Sequence, residues 1–325
     1  MKETEQARGT GIELEPRVDE HHKRILGKLP VDLLDFSDVN AVREAFAEVR
    51  RPEMDPTVTT EDVRVPGLDG DPDVRIRLYR PADMAPDASA FFWIHGGGMV
   101  IGTVEMSDAY CASVAATNGA IVASVDYRLA PEHPFPAPMN DCYAGLSWFA
   151  SQAGELGFDS TRLAIGGASA GGGLAAGLAL MARDRGGPGI CFQLLVFPML
   201  DHRNVTASSH AIHDPRVWHR EANLYGWDAY LGGTGGNDDV SIYASPTLAA
   251  DLSRLPPAHI NVGDLDMFLD EDVAYAMELL RAGVPCELHV YPGAFHGSNG
   301  QVVKSPLSKR WNTDEQAALT RALGA

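Results

Sequence analysis

The chain has no run of about eighteen apolar residues that could cross a membrane as a helix. Its opening stretch, Met1 to Pro16, is polar and acidic and lacks the apolar core of a secretory signal. The expectation is a cytoplasmic protein with no membrane partner. Cysteine is scarce. Cys111, Cys142, Cys191 and Cys286 stand far apart, and with no C-x-x-C pair there is neither a zinc ribbon nor a redox dithiol to build. All four read as buried thiols in a reducing compartment. Positive charge is also in deficit: Lys and Arg number 26 against 44 Asp and Glu, a formal charge of −18. That balance repels nucleic acid and anionic lipid and excludes both as first-choice partners. Internal repeats and low-complexity tracts are absent, and Gly232 to Gly236 is only a short glycine-rich turn.

What is present is a chain of 325 residues, 45% hydrophobic and 22% charged, an ordinary globular composition with room for one large α/β domain or two smaller units. Before Pro52 two helical patterns occur, Val18, Ile25 and Leu29, then Val42, Phe46 and Val49, the second entered through Ser37 or Asp38 as N-cap. They predict an N-terminal helical cap segment over residues 1–53, followed by a catalytic domain over 54–325. From Val63 onward short β-rich runs alternate with helices. Strands are expected near Glu61–Val65, Arg75–Tyr79, Phe91–Ile94, Ala120–Val125, Leu163–Ile165, Phe192–Phe197, Ala258–Val262 and Glu287–Tyr291. Helices are expected near Asp108–Thr117, Asp141–Ala153, Ala170–Arg183 and Asp270–Ala282. The alternation predicts the α/β class, with a mostly parallel eight-stranded sheet covered by helices on both faces. The long gap between Phe197 and Ala258 holds an insertion at about 201–240, with a helix around Glu221–Leu231 and the aromatics Trp218, Tyr225, Trp227 and Tyr230.

Two motifs carry chemistry. Gly167-Ala168-Ser169-Ala170-Gly171 is a G-x-S-x-G placed between a strand and a helix, where flanking glycines permit a turn tight enough to expose a nucleophilic hydroxyl at the helix N-terminus. His95-Gly96-Gly97-Gly98 follows the apolar strand Phe91–Ile94, and such a loop supplies backbone N–H groups to an oxyanion hole. A glycine-rich packing turn explains either motif alone; the two together point to an α/β-hydrolase. That fold orders the remaining partners as acid after the seventh strand and base after the eighth. Of the histidines, His289 and His296 follow the acid slot, and His289 alternates within a strand. His296, in a glycine-flanked loop, is the base. For the acid, Asp264 and Asp266 both qualify, whereas Asp270, Glu271 and Asp272 read as helix N-terminal acids complementing the dipole.

These residues resemble the hormone-sensitive-lipase-like, or bacterial family IV, esterases over nearly the whole chain. The resemblance rests on His95–Gly98, on the string Tyr127-Arg128-Leu129-Ala130-Pro131-Glu132 with Phe135-Pro136-Ala137, on Ser169–Gly172, and on Pro198–Asp201. Laying the family's D-P-L-x-D-E on Asp266–Glu271 implies Asp266 as the acid, with Met267 and Phe268 at the P-L positions. It likewise implies the N–H groups of Gly97, Gly98 and Ala170 as oxyanion donors. The chain departs from the family at Ala168, where an Asp is usual. Leu68–Pro72, Trp218–Arg220 and Asp239–Tyr243 are similar to the bacterial heroin-esterase type of carboxylesterase, which implies small acyl groups on bulky alcohols.

The resemblance implies a serine hydrolase acting on small-molecule carboxylic esters with short to medium acyl chains through an acyl-enzyme, with no cofactor. It also implies a homodimer through the sheet edge near the eighth strand. A lactone hydrolase or amidase would use the same residues. Non-catalytic receptors of this fold lack the His, and related dehydratases carry Thr at the nucleophile position, so Ser169 and His296 argue against both. Trp218 and Tyr225 are candidates for the substrate pocket. The proline-rich Tyr127–Ala137 string reads as structural. His210, His213 and His219 with Asp201 and Asp214 match no standard metal spacing. Gly171-Gly172-Gly173 lacks the full dinucleotide fingerprint.

Overall fold

The β-branched and aromatic runs pair into one eight-stranded sheet of order β1-β2-β4-β3-β5-β6-β7-β8. The computed structural model describes residues 12–49, 51–233 and 239–324. The strands are β1 (Val58–Val65), β2 (Val74–Pro81), β3 (Ala88–Ile94), β4 (Ile121–Asp126), β5 (Phe158–Ala168), β6 (Phe192–Val196), β7 (Ala258–Leu265) and β8 (Cys286–Phe295). Only β2 runs against its neighbours; every pairing from β4 through β8 is parallel. The expected eight-stranded α/β architecture is therefore observed, with all eight strands where the β-rich runs lie.

Parallel strands need crossovers, and the helices supply them on both faces. They are α1 (Glu20–Leu26), α2 (Val39–Ala47), α3 (Asp108–Asn118), α4 (Ala137–Ser151), α5 (Ala153–Leu156), α6 (Ala170–Arg185), α7 (Ala207–Ala211), α8 (Arg220–Tyr230), α9 (Leu269–Arg281), α10 (Ser298–Gln301) and α11 (Pro306–Leu323). Because successive strand residues point to opposite faces, Phe92 and Ile94 join the core shared with α4, α6 and α9, while Phe91 and Trp93 join the core shared with α3 and α11. Strand β3 is buried along its whole length, which explains why its sequence is a continuous apolar run rather than an alternating one.

The helix α11 was not anticipated: its apolar positions are sparse, yet Trp311 stacks on Tyr291 at 4.3 Å and Leu319 and Leu323 close the second core. Asp38 is the N-cap of α2, accepting from the N–H groups of Asn40 and Ala41. That helix ends at Ala47, so Val49, expected on its apolar face, lies outside it and is exposed. Of the four thiols, Cys111 and Cys142 are buried, but Cys191, just before β6, and Cys286, the first residue of β8, are only partly so.

The N-terminal segment and the insertion pack on each other. Ile12 N–H donates to the Ala211 carbonyl at 2.8 Å, Arg216 pairs with Glu15 at 3.0 Å, and Phe36 stacks on Tyr225 at 4.9 Å. Residues 1–11 of the expected cap segment, and 234–236 of the expected glycine-rich turn, lie outside the described residues.

Candidate active site

Ser169 sits between the end of β5 and the start of α6 with φ 57° and ψ −121°, a region that residues with a Cβ avoid. Backbone bonds to strand, helix and loop hold it there: its N–H donates to the Val196 carbonyl at 2.8 Å, and its own carbonyl accepts from Gly173 and Met199, both at 3.0 Å. The flanking glycines are required by contact, since a Cβ on Gly167 would stand 2.2 Å from the Gly171 carbonyl oxygen. The hydroxyl therefore emerges at the positive end of a sixteen-residue helix.

The hydroxyl meets His296, delivered by the loop after β8. Ser169 Oγ–H donates to His296 Nε2 at 2.9 Å, and His296 Nδ1–H donates to Asp266 Oδ2 at 2.7 Å. An ionised carboxylate can only accept, so the proton stays on Nδ1 and the lone pair of Nε2 faces the serine. Asp266 Oδ1 accepts the Phe268 N–H at 3.0 Å, and the Asp266 side chain is fully buried. Three aromatic rings surround the imidazole, Phe197 at 4.7 Å, Phe268 at 5.2 Å and Trp218 at 6.4 Å. Phe268, a departure from the family's P-L pattern, thus packs edge-on against the imidazole. Phe197 carried no sequence signal; it turns inward because its backbone, at φ 35°, leaves β6 sharply.

The structure separates the two candidate acids. Asp264 accepts the Gly293 N–H at 2.6 Å and pairs with Arg17 at 3.3 Å, away from the imidazole. The following acids, Asp270, Glu271 and Asp272, stand in the first turn of α9 as expected. Asp270 accepts the Ser208 N–H at 2.8 Å, and Glu271 and Asp272 are in addition buried inside the fold. Glu271 accepts the N–H groups of Leu200 (2.7 Å) and Asp201 (3.2 Å), so it fastens the chain leaving β6 to α9. The Asp272 carboxylate has no hydrogen-bond partner among the described residues. Burial pushes both carboxyl groups well above the usual carboxylate range.

The loop after β3 brings its backbone to the serine. Gly98 has φ 59°, and a Cβ there would stand 2.2 Å from Trp218 Cη2. The loop is braced from below: the Tyr127 hydroxyl donates to the His95 carbonyl at 3.0 Å, its ring stacks on His95 at 4.3 Å, and Ala130 N–H donates to the Met99 carbonyl at 2.9 Å. Burial lowers the His95 pKa and keeps this ring neutral. Arg43, from α2, donates to the Val100 and Ala130 carbonyls at 2.8 and 2.9 Å and pairs with both oxygens of Glu132. The Tyr127–Ala137 string is thus the support of the glycine loop. Arg43 could not be found from sequence, because an Arg on the polar side of an amphipathic helix reads as solvated.

Of the two candidate pocket residues, Trp218 lies between Gly98 and His296, its indole N–H held by Asn223 at 2.9 Å. Tyr225 is one layer removed, reached through Phe36, which is edge-on to Trp218 at 5.9 Å. Tyr225 lines a separate cavity of about 460 Å³ together with Leu34, Phe36, Pro215, His219 and Ala222, which neither Ser169 nor His296 lines.

Comparison with known proteins agrees with this geometry. A family profile for the alpha/beta hydrolase fold matches residues 91–299. The carboxylesterase NlhH of Mycobacterium tuberculosis is 36% identical over 318 residues, 95% of this chain and 98% of that protein. Ethyl acetate hydrolase of Pseudomonas putida is 32% identical over 277 residues, covering 84% and 86%. The solved structure of a bacterial heroin esterase superimposes with a TM-score of 0.90 at 43% identity, covering 95% of this chain and 98% of the other. With the strand order, the serine elbow, the glycine loop and these relatives in agreement, the chain belongs to the alpha/beta-hydrolase family, in its hormone-sensitive-lipase-like branch.

Proposed function

We propose that the protein is a carboxylesterase that cleaves small-molecule carboxylic esters with short to medium acyl chains through an acyl-enzyme. The observation that carries this reading is the continuous hydrogen-bond chain from Ser169 through His296 to Asp266. In this reading Ser169 Oγ attacks the acyl carbon as its proton passes to His296 Nε2, and Asp266 stabilises the resulting imidazolium. The N–H groups of Gly97, Gly98 and Ala170 receive the tetrahedral oxyanion. His296 then protonates the departing alkoxide. Water, activated by the same imidazole, adds to the acyl-enzyme and releases the carboxylic acid.

Residues 1–53 and 201–240 serve as a cap that limits which esters enter; the packing of Phe36 on Tyr225 and Trp218 supports joining the two segments in one role. A homodimer through the open edge of β8 and a reducing, cytoplasmic setting complete the proposal, the latter supported by four unpaired thiols.

The test is turnover of p-nitrophenyl butyrate with fluorophosphonate labelling. Wild type should hydrolyse and label at one site, while Ser169→Ala should lose labelling and about 10⁵-fold or more in kcat with its circular dichroism unchanged. Labelling of another serine would overturn the assignment.

A further inference from the structure

Near the starts of β7 and β8, the parallel register sets His259 beside Glu287 and Asn261 beside His289, so three potential metal ligands share one face of the sheet. Their ligand atoms all lie within 4.8 Å of one another. His289 Nε2 is 2.8 Å from Glu287 Oε1, and His259 Nδ1 is 3.9 Å from the same oxygen. We propose that His259, Glu287 and His289 form a binding site for a divalent transition-metal ion, with zinc the best match, that clips the edge strand β8 to β7.

The clearest indication is an orphan. His259 is fully buried, yet its Nδ1 has no hydrogen-bond partner among the described residues, and an unsatisfied buried polar atom is costly unless something occupies it. The surroundings already orient the other ligands. His289 Nδ1 meets the Tyr291 hydroxyl at 3.2 Å, and that hydroxyl donates to Asp314 at 2.8 Å, an outer layer that orients the ring with Nε2 toward Glu287. Arg321 holds the second oxygen of Glu287, turning the first toward the imidazoles.

Two imidazole nitrogens and one carboxylate oxygen form a zinc-type donor set, with the fourth tetrahedral position left to water. Glu287 and His289 are partly exposed, which gives the ion an entry path. His259 and His289 stand seven residues ahead of Asp266 and His296, and Glu287 nine ahead of His296, about 20 Å away or more at the rise of a β-strand. The ion is therefore a staple for the strands that carry the acid and base, and has no part in the ester chemistry.

The full-length protein, stripped with EDTA and dialysed, is titrated with zinc chloride by calorimetry and with cobalt chloride by visible absorption. One zinc per chain, intense tetrahedral cobalt bands and a zinc-induced rise in Tm are expected. Glu287→Gln and His289→Ala, both partly exposed and checked for fold by circular dichroism and unchanged ester turnover, should weaken zinc at least about tenfold and lose the Tm rise. His259→Ala should do the same if it folds. His213→Ala, an imidazole on the insertion, should bind as wild type does. Absence of stoichiometric binding, or wild-type affinity in both Glu287→Gln and His289→Ala, would overturn the site.

Discussion

Asp264 receives the backbone N–H of Gly293 at 2.6 Å and so anchors the loop that delivers His296, while leaving the imidazole itself to Asp266. Two aspartates separated by one residue in the same turn therefore have different work. One fixes the loop through Gly293, the other meets the imidazole at Nδ1.

Asp266→Asn should lower kcat by about 10⁴, because an amide donor facing Nδ1 favours the wrong imidazole tautomer. Asp264→Asn retains an oxygen for Gly293 and should cost about tenfold or less. Steady-state kinetics of both variants decide the matter, and a larger loss at Asp264 would reverse the two roles.

Gly98→Ala should lower kcat by on the order of 10²-fold or more by displacing an oxyanion donor. The added methyl meets the Trp218 ring at 2.2 Å on a backbone with φ 59°. Trimming the ring in a Gly98→Ala/Trp218→Ala double variant removes the clash but not the backbone strain. It should recover part of the loss, whereas strictly additive losses would show that the ring is not the obstacle.

The folded Glu271 carboxyl has a raised pKa, caused chiefly by burial, so the native state keeps a proton that the unfolded chain releases. Its contribution to stability is complete below the unfolded value of about 4.3 and is lost as pH rises toward the folded value, by up to about tenfold in the folding equilibrium per pH unit. Glu271→Gln cannot titrate and still offers an oxygen to Leu200 and Asp201. Calorimetry should find the Tm of Glu271→Gln rising relative to wild type between about pH 5 and about pH 8. A constant or shrinking difference would place the proton elsewhere.

Acyl length should be limited. Across p-nitrophenyl esters, kcat/KM should peak between acetyl and hexanoyl and fall at least about tenfold by dodecanoyl, since each methylene left unburied forfeits about 0.8 kcal/mol. No jump in rate should occur at the solubility limit. A maximum at decanoyl or beyond would replace the esterase reading with that of a lipase.

The sequence by itself determined what depends on neighbours in the chain. The G-x-S-x-G elbow, the His95–Gly98 loop and the β-rich runs are local turn and strand chemistry, and all were legible before any contact was known. The choice between Asp264 and Asp266 was not legible from local spacing, because both sit in one turn and only the docking of β8 against β7 decides which carboxylate meets His296; family resemblance supplied the answer that spacing could not. Tertiary structure alone placed Phe197 and Phe268 against the imidazole and Arg43 under the glycine loop. It alone made Glu271, legible only as a helix-end acid, a buried clamp, and ordered α11 through Trp311 on Tyr291. These residues act across long sequence separations, where side-chain type does not reveal the partner and only the packing of one element on another does.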